Sequence, residues 1–106
     1  MKSTEDRLTE WAARGESETQ EFKGTTGQRS EAAKAVCAML NHKGGRVIFG
    51  VDAKGRIVGQ EVTDKTVEDV AAYLRMIEPP PFPAVERIPV AKGREVRTCV
   101  VVAVQQ

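Results

Sequence analysis

The densest chemistry in the chain lies at Asn41-His42-Lys43-Gly44-Gly45-Arg46. Two adjacent glycines let the backbone turn sharply and let a ligand's backbone come close. Lys43, Arg46 and His42 set cations beside that turn, and the Asn41 side chain can both donate and accept. Cations grouped at a sheet edge suit phosphate oxygens, whose contacts give affinity for a polyanion without reading its sequence. Arg29 and Lys34 extend the same segment upstream. The residues expected to meet nucleic acid are therefore Arg29, Lys34, Asn41, Lys43, Gly45 and Arg46.

Charge along the chain agrees with that choice. Residues 1–22 carry 3 basic and 6 acidic side chains, residues 23–56 carry 7 and 2, and residues 57–106 carry 6 and 7. The middle third is a basic block between acidic flanks, a pattern that marks an anion-binding face. Chance clustering on an ordinary solvated surface explains it about as well. The net charge of +1 over 106 residues argues against a protein that coats DNA.

Other constellations are weaker. Gly24-Thr25-Thr26-Gly27-Gln28-Arg29-Ser30 precedes a helix, where free amides favour an anion such as a nucleotide phosphate. Its glycine spacing is too short for a P-loop, and Arg29 stands where the lysine belongs. Cys37, Cys99 and His42 lack the paired spacings of a zinc site. Trp11, Tyr73 and the three phenylalanines are too scattered to form a base-stacking platform, and Trp11 is expected to anchor the first helix.

The elements that must position these residues follow from apolar spacing. Leu8, Trp11 and Ala12 mark a helix over 4–14 that Gly15 stops. Residues 18–23 alternate as a strand with Phe22 inward. A helix capped at Ser30 buries Ala33, Val36, Cys37 and Leu40, and Gly44 or Gly45 ends it. A hairpin is expected from Arg46–Val51 and Arg56–Gly59 around Asp52-Ala53-Lys54-Gly55. Thr66, with Asp69 three residues on, reads as the cap of a helix running to Pro79. Strands over 84–91 and 95–104 close the chain, and the run from Cys99 to Val104, apolar on both faces, belongs inside the sheet. The sequence thus predicts an α+β fold over 1–106. Its single mixed β-sheet carries two or three packed helices in the order β-α-β-β-α-β-β, behind an N-terminal helix at 1–14 and within a core at 15–106.

Three segments resemble one family. Glu16-Ser17-Glu18-Thr19-Gln20-Glu21-Phe22-Lys23 is similar to the E-S-x-x-x-E-F-K opening of AlbA_2 or Schlafen-like domains. Ala38 to Asp52 resembles their A-x-x-N-x-x-G-G-x-x-x-x-G-V-x-D segment, and Asp52 to Gly59 resembles their D-x-x-G-x-I-x-G hairpin. The resemblance spans about residues 15–77. It implies a nucleic-acid-binding module of the kind found in bacterial transcriptional regulators, often followed by a winged-helix partner domain and often paired as a homodimer. In the branch that cleaves RNA it implies a metal-dependent endoribonuclease, whose three carboxylates would here be Glu16, Glu21 and Asp52, holding Mg²⁺ or Mn²⁺ on oxygen ligands. Residues five apart on a straight strand are on opposite faces, so Glu16 and Glu21 converge only if the chain bends near Ser17–Thr19. Against catalysis, Glu21 reads more simply as a strand-surface acid paired with Lys23 on the same face. Relatives described as ATP-related keep nucleotide binding in view, and a protein interaction or oligomerisation domain is the remaining alternative.

Composition sets the remaining limits. At 41% hydrophobic and 29% charged the chain is ordinary for a globular domain. No apolar run approaches the ~20 residues that span a bilayer. Acids near the start replace the basic and apolar stretch of an export signal. A cytoplasmic protein with two reduced thiols, no membrane partner and no cofactor, unless it is a nuclease, is the expectation.

Overall fold

A computed structural model describes residues 2–106. Its elements are α1 (Thr4–Arg14), β1 (Gln20–Lys23), α2 (Arg29–Leu40), β2 (Gly45–Phe49), α3 (Asp64–Leu74), β3 (Ala84–Lys92) and β4 (Glu95–Val104). The strands form one mixed sheet in the order β1-β2-β4-β3. β1 runs parallel to β2, and the other two pairings are antiparallel. The fold is α+β, as the sequence predicts.

Alternation along the strands sends side chains to both faces of the sheet. Val47, Phe49, Val100, Val102 and Val104 meet Ala32, Ala33, Val36 and Met39 of α2 and Val70 and Leu74 of α3. On the other face Ile48, Ile88, Val90, Cys99 and Val101 meet Leu8 and Ala12 of α1. A sheet covered on both sides needs strands apolar on both sides, and β4, between β2 and β3, is that strand. No described helix is long and apolar enough to cross a membrane.

Helix entries differ from the sequence reading in instructive ways. α1 starts where expected, with the Ser3 hydroxyl accepting from the Asp6 amide at 3.1 Å. α2 is not capped by Ser30. Thr26–Gln28 forms a short 3-10 turn whose Thr25 hydroxyl accepts from the Gly27 amide at 3.2 Å, and α2 continues out of it at Arg29. α3 begins at Thr63 rather than Thr66: each threonine hydroxyl accepts from the other's amide, at 3.1 and 3.3 Å. Thr66 is thus the third helical residue of the box, not its first. After Leu74 the backbone tightens, Met76 and Ile77 donating to carbonyls three residues back, before Pro79 excludes further helix.

The expected hairpin is reduced. Residues 56–59 make no ladder, only a bridge from Ile57 to Val51, with Gln60 bridging Thr98. The reason is occupancy: β2 already has β1 on one side and β4 on the other. The returning chain folds over the end of β2, where the Val58 and Gly59 amides both donate to the Gly50 carbonyl at 2.8 Å.

Both borders of the sheet are poor places for further pairing. β1 has four residues, and β3 carries Pro89, which has no amide to offer.

The bend from α2 into β2 is the tightest passage. The Gly44 amide donates to Met39 at 2.7 Å, and the backbone then runs with φ of 80° at Gly44 and 153° at Gly45. A Cβ on Gly44 would lie 2.5 Å from the Val104 carbonyl oxygen, and one on Gly45 2.5 Å from that of Thr19. Gly93, with φ of 64° and open space around it, is the contrast. Gly45→Ala is expected to lower unfolding free energy by roughly 2–4 kcal/mol through clash and strain. Gly93→Asn, in a conformation asparagine tolerates, should change it by less than about 1 kcal/mol. Urea titration of both variants checks this.

Candidate nucleic-acid interface

Gln20 is the hinge of the candidate site. It points to the α1 side of β1, next to Phe22 in the alternation, and is 3% exposed. A buried amide must spend its hydrogen bonds inside the protein. Its Nε2 donates to the Trp11 carbonyl at 2.7 Å and the Gly15 carbonyl at 2.8 Å, and its Oε1 accepts from Arg46 Nη1 at 3.0 Å. The end of α1 is thereby tied to β1, and Arg46 on β2 is held across it.

Arg46 faces the same side. Its guanidinium lies 4.2 Å from the Trp11 ring centroid, and that of Arg7 lies 5.4 Å from the same ring. Both distances fit cation–π contact. Arg7 is balanced by Glu86, 3.1 Å away. Arg46 has no carboxylate among its partners in the described residues, nor has Arg14 or Lys43. Burial, then the charges of Arg14 and Arg7, push the Arg46 guanidinium below its ordinary value. It stays charged at neutral pH. Half-buried and beside its own kind, this charge is what an incoming anion would stabilise.

The six residues expected to bind nucleic acid do not form one patch. Arg46 lies under the α1 side. Lys43 is exposed on the bend, and Gly45 is pressed against Thr19. Asn41 is the C-cap of α2 and borders a groove on the other side of the sheet. Arg29 begins α2, where its guanidinium donates to the Thr26 carbonyl at 3.1 Å. Twelve residue steps along the helix take it to Asn41, about 18 Å at 1.5 Å each. Lys34 is on the solvent side of α2. His42 is not free, since its Nε2 lies 2.9 Å from Glu18 Oε2. Acid therefore balances part of the bend. Trp11, Arg7, Arg14 and Gln20 join Arg46 instead. Only Gln20 left a signal, a polar residue at an inward position of a strand.

The three acids assigned by resemblance are each engaged. The chain does double back where convergence requires it, with Ser17 and Gln20 bridged antiparallel. That return carries Glu16 to the free side of β1, where its Oε2 accepts from the Phe22 amide at 3.1 Å. Glu21 pairs with Lys23 at 3.2 Å, on the same face. Asp52 accepts from the Lys54 and Arg56 amides, both at 2.9 Å, and from Arg56 Nε at 2.7 Å. The Arg56 amide above all, with its guanidinium and the Lys54 amide, holds the Asp52 carboxyl below the usual range, against a smaller opposing effect of burial. Among the described residues no three acid, histidine or cysteine side chains gather as a metal ligand set. The donors as arranged do not fit a divalent cation.

Three amides of the Gly24–Ser30 segment are likewise already engaged. Gly24 donates to Gln28 Oε1, Gly27 to Thr25 Oγ1 and Thr26 to Gln60 Oε1. A nucleotide phosphate would have to displace these bonds. Both cysteines are free.

Glu16→Ala removes the acceptor that covers the border of β1. Hydrogen exchange of the Phe22 amide should quicken by about tenfold, the value of one such bond, with Ile48 and Val101 unchanged.

Residues 16–106 match the sequence profile of a family described as Schlafen, AlbA_2. No curated protein matches the chain.

Proposed function

We propose that this chain, which belongs to the Schlafen AlbA_2 family, is a nucleic-acid-binding module that holds the phosphate backbone at the Trp11 side of its sheet. The family points to a nucleic-acid-related role. The observation that carries the finer reading is Arg46, held in a half-buried setting beside Arg14 and Arg7 with no carboxylate of its own. Leaving a charge short of counter-charge costs stability, and a phosphate is the anion that offsets it with charge-assisted hydrogen bonds. Lys43, two residues before the start of the strand that carries Arg46, adds a second contact from the bend. Nothing in this arrangement reads a base edge, so the expected binding is set by shape and charge.

The rival surface runs along α2 through Arg29 and Lys34. Binding of labelled duplex DNA, single-stranded RNA and tRNA at two salt concentrations separates the two. Arg14→Glu and Lys43→Glu alter exposed side chains and should each weaken binding at low salt several-fold and lower the salt slope by about 1. Lys34→Glu should leave both nearly unchanged. If Lys34→Glu is the damaging variant, the face lies on α2. If no polymer binds at low salt, the proposal fails. Adding Mn²⁺ to the RNA arm tests cleavage, and intact RNA is the expected result.

A further inference from the structure

The turn that follows β2 brings a further cation to the end of α1. Asp52 folds this turn: its carboxylate accepts from the Lys54 and Arg56 amides, and its carbonyl accepts from the Gly55 amide at 2.9 Å. Gly55, with φ of 81°, is pressed against α1, where a Cβ would lie 3.0 Å from the Ala12 carbonyl oxygen. Asp52 and Arg56 pair at 2.7 Å, so the charge that the turn presents is that of Lys54. Lys54 is exposed and has no carboxylate partner among the described residues. Arg14, in the last turn of the helix that Gly55 touches, is exposed and equally without one.

We infer that the phosphate backbone held at Arg46 continues over the C-terminal end of α1 to Lys54, along one track made by β2, α1 and the turn at 52–56. The inference deepens the proposed function and rests on it. It names the ligand as a polymer with several consecutive phosphates, DNA or RNA, and not a free phosphate or a mononucleotide. Length gives the reason. Arg46 is near the start of β2 and the turn begins after Val51, five residue steps on, or about 15 Å of strand. No single phosphate group touches both ends of that distance. A backbone that advances about 3.4 Å per nucleotide crosses it in about five. Charge gives a second reason. The acids beside the path are engaged, Asp52 by Arg56, Glu10 by Lys2 and Glu16 by the Phe22 amide, whereas Arg14, Arg46 and Lys54 are not. The track also joins two parts of the chain: α1 precedes the residues 16–106 that match the family, and Arg46 and Lys54 lie within them.

The last carbonyls of a helix attract cations on their own account, so stability has to be measured beside binding. The experiment titrates a labelled DNA strand longer than the span, its duplex and the equivalent RNA strand at two salt concentrations. The proteins are the unmodified chain, Lys54→Gln, Arg14→Gln and the double variant, with thermal unfolding of each. Lys54→Gln should weaken binding several-fold at low salt and lower the salt slope by about 0.7 on single strands and about 0.9 on the duplex. The double variant should lower the slope by the sum of the two single effects, since the contacts fall on different phosphates. A mononucleotide should compete only weakly with the polymer. If Arg14→Gln weakens binding and Lys54→Gln does not, the track stops short of the turn, and this inference fails while the proposed function stands. If Lys54→Gln lowers the unfolding temperature at unchanged affinity, the lysine serves the helix end and the inference fails in the same way. If no polymer binds at low salt, the proposed function fails and takes the track with it.

Discussion

A passage too narrow for one methyl group sets the rest of this molecule. The backbone leaving α2 slips between the Thr19 carbonyl of the segment entering β1 and the Val104 carbonyl ending β4, and only glycine at 44 and 45 allows it. Because the fit is so close, β2 has little freedom in register against either neighbour. Gln20 then stands opposite Arg46, and Val104 opposite Gly45. A slip of one residue would turn Arg46 into the α2 core and Val47 toward Trp11. Packing on both faces and the placement of the guanidinium thus share one cause.

From that register follows an unusual economy around Gln20. One buried amide closes the end of α1, fixes the return of the chain at Ser17–Gln20 and orients Arg46. Such a polar group inside a core costs stability unless every bond is made, and here each is. The arrangement keeps Arg46 charged and only partly compensated, at the expense of a locally less favourable monomer.

Much of the fold was legible from apolar spacing, and the reasons for the exceptions are physical. The helix over 4–14, the inward Phe22 and the central position of Cys99–Val104 follow from periodicity alone. The helix starts at Ser30 and Thr66 were misread because several hydroxyl residues compete for one cap, and tertiary contacts such as Gln60 with Thr26 decide between them. The second hairpin strand failed because local pattern cannot say that both borders of β2 are taken. The site was less legible still. A basic block in sequence is not a patch in space: successive strand residues face opposite ways, and a helix separates its two ends. Arg29, Lys34 and Arg46 therefore part company, while Arg7 and Arg14, from an acidic segment, arrive beside Arg46. The bend that convergence of Glu16 with Glu21 requires is present, yet Glu16, Glu21 and Asp52 each engage a nearer donor within the protein.

Glu16 at one border of the sheet and Pro89 at the other have a consequence for behaviour in a crowded solution. At one end the row of open groups is short and partly covered, and at the other it is interrupted, so the folded molecule is a poorer template on which copies could stack strand by strand. Two residues, neither of which contributes to its hydrophobic interior, thus make growth by strand addition harder.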